Sequence, residues 1–425
     1  MVDQQMRERD SVRRLGRSEL EALQLDRLNS QFREILPQNR FYAEKLAEVE
    51  LPLKRLSDLS RLPFTFKDEL LGGTAEGDFA KNLTYPVRDY VRFHRTSGTR
   101  GRPLVVMDTA KDWQWWVESW QYVLDMADLQ PGDRAVMPFS FGPFIGFWSA
   151  FDAATARGLL VAPTGGMSTV ARLDLIRSLK ATVLFCTPSY ALHLAEKAVE
   201  SQIESSQLDV RWIIVAGEPG GSIPSIRHRI EEAWGATVID HSGASEVGPW
   251  GFGDSEGRGL FVNESDFIAE FISIESGEPA GEGELSELVL TSLGRWGSPV
   301  IKYRTGDLVR PCWSHESECR FVFLEGGVLS RSDDMMIIRG VNIFPSSVEQ
   351  ILRSFPEVVE YRLTAYKSGA MDGLVVEIED RLEQPQRVAR ELQLRLGLKI
   401  QVDCVPLGTL PRFEAKGKRF VDERK

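Results

Sequence analysis

Between Leu20 and Leu62 apolar residues recur at helical spacing with abundant charge between them, a pattern that predicts amphipathic helices lying on a larger body. From Val91 onward the texture changes. Short β-rich runs, LVVM, RAVMPF, GLLVAP, ATVLFCT, RWIIVAG and ATVIDHSG, alternate with helical segments and are punctuated by Gly and Pro, which predicts an α/β body. Residues 283–310 read instead as antiparallel strands joined by Gly turns, a β-rich subdomain added to that body. After Gly326-Gly327 the run MMIIRGVNIFPSSVEQIL starts a fresh strand–turn–helix unit with its own apolar pattern. The expected organisation is a large N-terminal domain, 1–329, and a small C-terminal α+β domain, 330–425. Residues 1–90 carry no visible chemistry beyond helix.

Composition narrows this picture. The 425 residues include 62 acidic and 51 basic side chains, a net charge of −11, which disfavours nonspecific nucleic-acid binding. The surplus is not evenly spread: residues 331–425 hold 16 basic and 15 acidic groups, so the acidity belongs to the first 330 residues. Four unevenly spaced cysteines, Cys186, Cys312, Cys319 and Cys404, do not form a disulfide framework and suit a reducing cytoplasm. The N-terminal stretch lacks the apolar run of a signal peptide. The most apolar segment, Phe139 to Phe151, is broken by Gly142, Pro143 and Gly146 and falls short of the roughly 20 residues of a membrane span. No membrane association is expected.

Several short motifs carry candidate chemistry. Arg95-Thr96-Ser97-Gly98-Thr99-Arg100-Gly101-Arg102-Pro103 joins two strands; its glycines permit turns that aim N–H groups and hydroxyls at a phosphate, and its arginines supply charge. A polar hairpin loop accounts for it equally well. Gly217-Glu218-Pro219 follows the strand RWIIV, at the carboxyl end where ligands approach an open α/β sheet. His241-Ser242-Gly243-Ala244-Ser245-Glu246 follows ATVID in the same way. Tyr303 to Leu308 presents Asp307 after a Gly turn, suited to ribose hydroxyls. Ser330-Arg331-Ser332-Asp333, Arg339-Gly340 and the basic stretch around Lys416 complete the series. Singly, each is as readily an ordinary turn or a solvated charge cluster.

As an ordered set they resemble the adenylate-forming superfamily of acyl-CoA synthetases, adenylation domains and luciferases, and within it the phenylacetate–CoA ligases, which are similar in length to this chain. The resemblance runs from about Val91 to the C-terminus. It implies a two-step ligase: a carboxylate attacks the α-phosphorus of ATP to give acyl-AMP and pyrophosphate, and the thiol of coenzyme A then displaces AMP. By the same resemblance Thr96, Ser97, Gly98, Thr99, Arg100, Gly101 and Arg102 form the pyrophosphate loop. Gly217, Glu218, Pro219, Ser242, Gly243 and Ser245 surround the nucleotide. Glu246 is the magnesium-associated glutamate, Asp307 and Arg331 approach the ribose, and Lys416 is the catalytic lysine, with Glu246 and Arg331 counted beside it in the catalytic set. Asp333 matches the hinge, and Arg339 and Gly340 lie on the coenzyme A side. Phe139, Phe141 and His241 match positions lining the acid pocket, implying an aromatic, phenylacetate- or benzoate-like acid. A structural role for His241 stays open.

The chain departs from the family pattern in places. Ser242 stands where an adenine-stacking Tyr is usual, Arg100 and Arg102 where Thr and Lys are common, Ala415 for the Gly before the lysine, and Ser330 for the Gly before Arg331. None removes a charged catalytic group. Two other readings remain: transfer of the acyl group to a carrier protein or an amine, and a nucleotide- or acyl-adenylate-binding protein without turnover. Lys416 counts against the latter. A homodimer is implied by analogy alone. Cys312, His315 and Cys319 have ligand-like spacing, but the upstream Gly251–Phe261 stretch contains no Cys or His, so ATP, Mg²⁺ and coenzyme A are the expected cofactors and zinc is not.

Overall fold

The computed structural model describes residues 2–72, 79–96, 103–332, 336–338, 341–368, 371–411 and 419–424. Two helices, Val2–Arg13 and Arg17–Ile35, open the chain. The second buries Leu20, Gln24, Leu28, Gln31, Phe32 and Ile35, the one-faced stripe that the spacing predicts. Its two buried glutamines are bolts rather than packing: Gln24 donates to the carbonyls of Glu264 and Phe267, and Gln31 to that of Ser292.

The centre is a nine-stranded sheet. Five parallel strands, Leu160–Pro163, Arg134–Met137, Val183–Cys186, Trp212–Val215 and Thr237–Ala244, lie side by side in that order. Three of them, Val183–Cys186, Trp212–Val215 and Arg134–Met137, are apolar nearly throughout because helices cover both faces. The sheet continues through antiparallel strands Gly248–Gly253, Gly259–Val262, Phe323–Glu325 and Pro311–Cys312. The chain reverses direction across the sheet between Arg134–Met137 and Val183–Cys186, and the carboxyl ends at such a reversal form a natural crevice.

The predicted β-rich subdomain is a four-stranded antiparallel sheet of Phe267–Ser273, Ser286–Ser292, Tyr303–Val309 and Ser330–Arg331. Its last strand places Ser330 and Arg331 with the preceding body, just past the boundary expected from the apolar pattern. A separate core begins at Met336. Val348, Ile351, Leu352, Tyr361, Leu363, Val376 and Ile378 pack there between two helices, Pro345–Arg353 and Pro385–Leu396, and a small mixed sheet. The whole is α/β followed by α+β. No helix among the described residues is long and apolar enough to cross a membrane.

Candidate active site

Strand ends from both bodies converge on a cavity of about 310 Å³. Its floor comes from the turns after Trp212–Val215 and along Thr237–Ala244; Asp307 and Arg331 form one wall, and Pro345, Ser346, Glu349, Tyr361 and Arg419 from the C-terminal unit form another. The turn at Gly217 takes a φ of +92°, open to Gly at little cost, and so lets Glu218 double back over the strand end.

The Glu218 carboxylate accepts from the backbone N–H of Ser189 at 2.7 Å, at the start of helix Pro188–Glu200. Burial raises its pKa, and these donors only partly offset that. Asp240 lies beside it and lines the same cavity. Gly221 makes room for it, because a Cβ there would fall 2.5 Å from the Asp240 carboxyl. With only Ser222 Oγ at 2.6 Å and backbone donors nearby, and Arg227 acting at longer range, burial pushes Asp240 up to about 6. His241 is buried against Trp120, ring centroids 4.0 Å apart. Burial lowers its pKa to about 4, so the ring is neutral at pH 7; its Nδ1–H donates to the Gly251 carbonyl at 2.7 Å, leaving Nε2 as an acceptor.

At the opposite rim Asp307 and Arg331 are cross-strand partners, and the guanidinium reaches the carboxylate at 2.7 Å. Tyr303, on the same strand as Asp307, donates its hydroxyl to Glu246 Oε1 at 3.0 Å. Lys67 donates to that same oxygen at 3.0 Å. Burial alone would raise the pKa of Glu246, but the Lys67 charge and these two hydrogen bonds hold it below the ordinary carboxylate range. Glu246 lines a smaller opening with Leu104, Val105, Val106 and Ser298, beside the strand that leaves the glycine-rich loop. An ionised, hard carboxylate without a cage of further acids suits Mg²⁺, which binds one or two carboxylates and takes its other ligands from water and phosphate. Among the described residues no group of three or more His, Cys, Asp or Glu is placed to hold a metal ion.

Of the residues singled out from the sequence, Gly217, Glu218, Pro219, His241, Ser242, Gly243, Asp307 and Arg331 line the one cavity. Ser245 and Glu246 follow on the next turn. Thr96 closes its hairpin, donating its N–H to Leu104 O and accepting from Leu104 N–H through Oγ1. Ser97, Gly98, Thr99, Arg100, Gly101, Arg102, Asp333, Arg339, Gly340 and Lys416 lie outside the described residues.

The expected acid-pocket residues are split. His241 faces the nucleotide-sized cavity, whereas Phe141 lines a separate apolar recess of about 400 Å³ with Trp148, Phe151 and Gly165. Phe139 links them only through rings: it packs edge-on against Phe141 and Phe147, and Phe147 packs on Trp120, which touches His241. Cys312, His315 and Cys319 also go separate ways. Cys312 Sγ meets Glu282, His315 Nε2 meets the Phe321 carbonyl, and Cys319 is buried.

Sequence reasoning missed Lys67, Asp240 and the Glu349–Tyr361–Arg419 wall. Asp240 had a signal, since it precedes His241 at the strand end. Lys67 had none, lying in the stretch that read only as helix.

Comparison with known proteins bears on this geometry. Residues 59–263 match the AMP-binding enzyme family model and 340–424 match the AMP-binding enzyme C-terminal domain. The phenylacetate-coenzyme A ligases of Thermus thermophilus and Escherichia coli are each 32% identical, over 97% of this chain and 98% of theirs in the first case, and 98% and 97% in the second. Among solved structures, 2-hydroxyisobutyryl-CoA ligase in its postadenylation state with 2-HIB-AMP superposes with a TM-score of 0.89 at 26% identity, covering 96% of this chain and 91% of that one. The same ligase with 2-HIB-AMP and CoA in its thioesterification state gives 0.72, covering 97% and 91%.

Proposed function

The chain belongs to the phenylacetate–CoA ligase family of AMP-binding enzymes, AMP-forming acid–thiol ligases that use ATP and coenzyme A, and from that premise we propose that it adenylates an aromatic carboxylic acid and passes the acyl group to coenzyme A. The observation that carries this reading is the polarity of the cavity: Arg331 and Asp307 at one rim, two carboxyls of raised pKa at the other.

AMP fits that polarity. Asp307 accepts from the ribose hydroxyls while Arg331 holds it in place and sets a positive charge beside the sugar and α-phosphate. Asp240 and the backbone beside Glu218 face the base, where an acceptor meets an exocyclic amine. With Ser242 in place of a stacking ring, the base is held by these edges and by the walls of the cavity. Glu246 would hold Mg²⁺, which would supply neutralising charge for the phosphates of ATP. Lys67 and Tyr303 keep that carboxylate ionised and aimed. By motif, Lys416 bridges carboxylate and α-phosphate, stabilising the charge that builds during in-line attack.

The acid sits next to the α-phosphate, on the His241 side. His241 Nε2 accepts a hydrogen bond from a hydroxyl or amine on the ring, since its Nδ1 proton is committed to Gly251. The higher likeness to the postadenylation structure supports a first step completed in the arrangement described here.

The test is direct. Aryl and straight-chain acids are incubated with ATP and Mg²⁺, with and without coenzyme A, and products are followed by pyrophosphate exchange and mass. Aryl acids supporting exchange, and an aryl-CoA thioester only when coenzyme A is present, are expected. Preference for straight-chain acids would overturn the aryl assignment; full exchange without thioester would point to a carrier protein or an amine as acceptor.

A further inference from the structure

Arg295 and Asp108 form an ion pair at 2.7 Å in which neither side chain is exposed at all. It lies outside the cavity yet touches both elements that frame Glu246. Asp108 sits on strand Val105–Thr109, which leaves the glycine-rich loop, and also accepts from Trp116 Nε1 at 3.2 Å. Arg295 Nη1 donates to the carbonyl of Ser245 at 3.0 Å, the residue before Glu246. One planar guanidinium therefore spans the phosphate-loop hairpin and the turn carrying Glu246.

The loop that carries Arg295 is itself stitched to the hairpin. Ser298 Oγ donates to the Met107 carbonyl, and the Gly297 N–H donates to Asp112 at 3.0 Å. Gly294 has a φ of +131° and lies so close to Trp115 that a Cβ would fall 2.7 Å from the ring. Tyr90, at the start of the hairpin, donates its hydroxyl to the Gly297 carbonyl at 2.6 Å. These contacts fix the loop to the hairpin and the helix that follows it, so that the Arg295–Ser245 hydrogen bond carries the hairpin's position to the Glu246 turn.

Stability does not account for the charges. A buried ion pair is often matched or bettered by apolar residues of the same volume. This one also leaves Arg295 Nη2 and Asp108 Oδ2 without partners, a cost that an apolar pair would avoid. What the pair supplies is a rigid two-pronged span, which a lysine cannot reproduce because its ammonium is a point charge on a flexible stem.

We infer that Arg295, held by Asp108, is a positioning residue for Glu246: it sets the register between the phosphate-loop hairpin and the Glu246 turn, so that the carboxylate and the phosphates of ATP meet the same Mg²⁺. The inference rests on the assignment of Glu246 proposed above. Misplacement by about 1 Å in such a site costs up to about 10²-fold in rate.

The decisive variant is the double substitution Asp108→Asn with Arg295→Gln, which leaves no lone charge buried; Arg295→Lys is its companion. Thermal melting, calorimetric binding of a non-hydrolysable ATP analogue with and without Mg²⁺, and KM values for MgATP and acid are measured. Loss of one charge-assisted hydrogen bond predicts that the gain in analogue affinity on adding Mg²⁺ falls about tenfold in both variants. KM for MgATP rises in step, while KM for the acid stays within about twofold of the parent. A double variant that melts like the parent with its Mg²⁺-dependent affinity intact overturns the inference, as do equal losses for nucleotide and acid. If the double variant does not fold, Arg295→Lys decides by the same criteria. Glu246→Gln is run in parallel. Parent-like Mg²⁺ dependence in that variant removes the Glu246 assignment itself, whereas a shift there with unchanged Arg295 variants removes only the positioning role.

Discussion

The two ends of the site treat their carboxylates in opposite ways. At the Glu246–Asp307 end each acid touches a cation, Lys67 in one case and Arg331 in the other. At the Glu218–Asp240 end the direct donors are a serine hydroxyl and backbone N–H groups. Burial acts on Glu246, Glu218 and Asp240 alike, yet Glu246 is held below the ordinary range while the other two are raised. Partner identity, more than burial, decides in which direction each acid's pKa moves. One end is thereby suited to a metal ion, phosphates and sugar hydroxyls, and the other to an uncharged heterocycle that would gain nothing from a fixed charge.

Breaking the charged end should have the largest effects. Lys416→Ala is expected to lower pyrophosphate exchange by about 10²–10³-fold while leaving ATP binding within a few fold, because its charge serves the transition state; exchange at the parent rate would remove Lys416 from the mechanism. Glu246→Gln should cost about 10²-fold in kcat/KM for ATP, with the loss partly recovered at high Mg²⁺. It also leaves Lys67 without its carboxylate. Lys67→Met should therefore shift the pH dependence of the reaction upward, as Glu246 loses the charge that favours its ionised form; an unchanged profile would show that the pair is incidental. Asp307→Asn is expected to raise KM for ATP about tenfold with a smaller effect on kcat, the value of one charge-assisted hydrogen bond.

Altering the Glu218–Asp240 end should do less to rate and more to the pH dependence of stability. Asp240 has a folded pKa of about 6 against an ordinary value near 4. Between those values the folded state binds more protons than the unfolded one, so this group's contribution is fully present below about pH 4 and is lost as pH rises through 6. The loss is of the order of 1–3 kcal/mol. Asp240→Asn, melted across pH 4–7 beside the parent, should flatten that decline; parallel curves would mean that Asp240 is not perturbed as its surroundings require.

The fold was largely legible in advance because each layer carries its own periodicity. The stripe from Leu20 to Ile35 has the spacing of one buried helix face, and VLFC and WIIV are uniformly apolar because helices cover them on both sides. Ligands meet α/β sheets at the carboxyl ends of strands, which singled out Glu218 and His241, while a Gly turn singled out Asp307; the structure brings all three to one cavity. Lys67 escaped because nothing local distinguishes it from a surface lysine; it acquires meaning only from Glu246, 179 residues away. The aromatic segment was less legible. Phe139 and Phe141 pack edge-on, and Phe141 also lines a recess apart from the cavity that His241 lines, an arrangement that their spacing in the chain does not foretell.

The sequence by itself determined the order of layers and pointed to the turns that the structure gathers around one cavity, since these depend on residue type and near-neighbour spacing. Only the tertiary structure decided which acids hold their protons more tightly than usual and which less tightly. Glu246, Glu218 and Asp240 are all carboxyls, and each is half-buried in or just after a strand of the central sheet. Their difference is whether a Lys67 reaches them across the fold or only a serine and a peptide N–H, and a carboxyl's proton affinity answers to the few ångströms around it rather than to its neighbours in the chain.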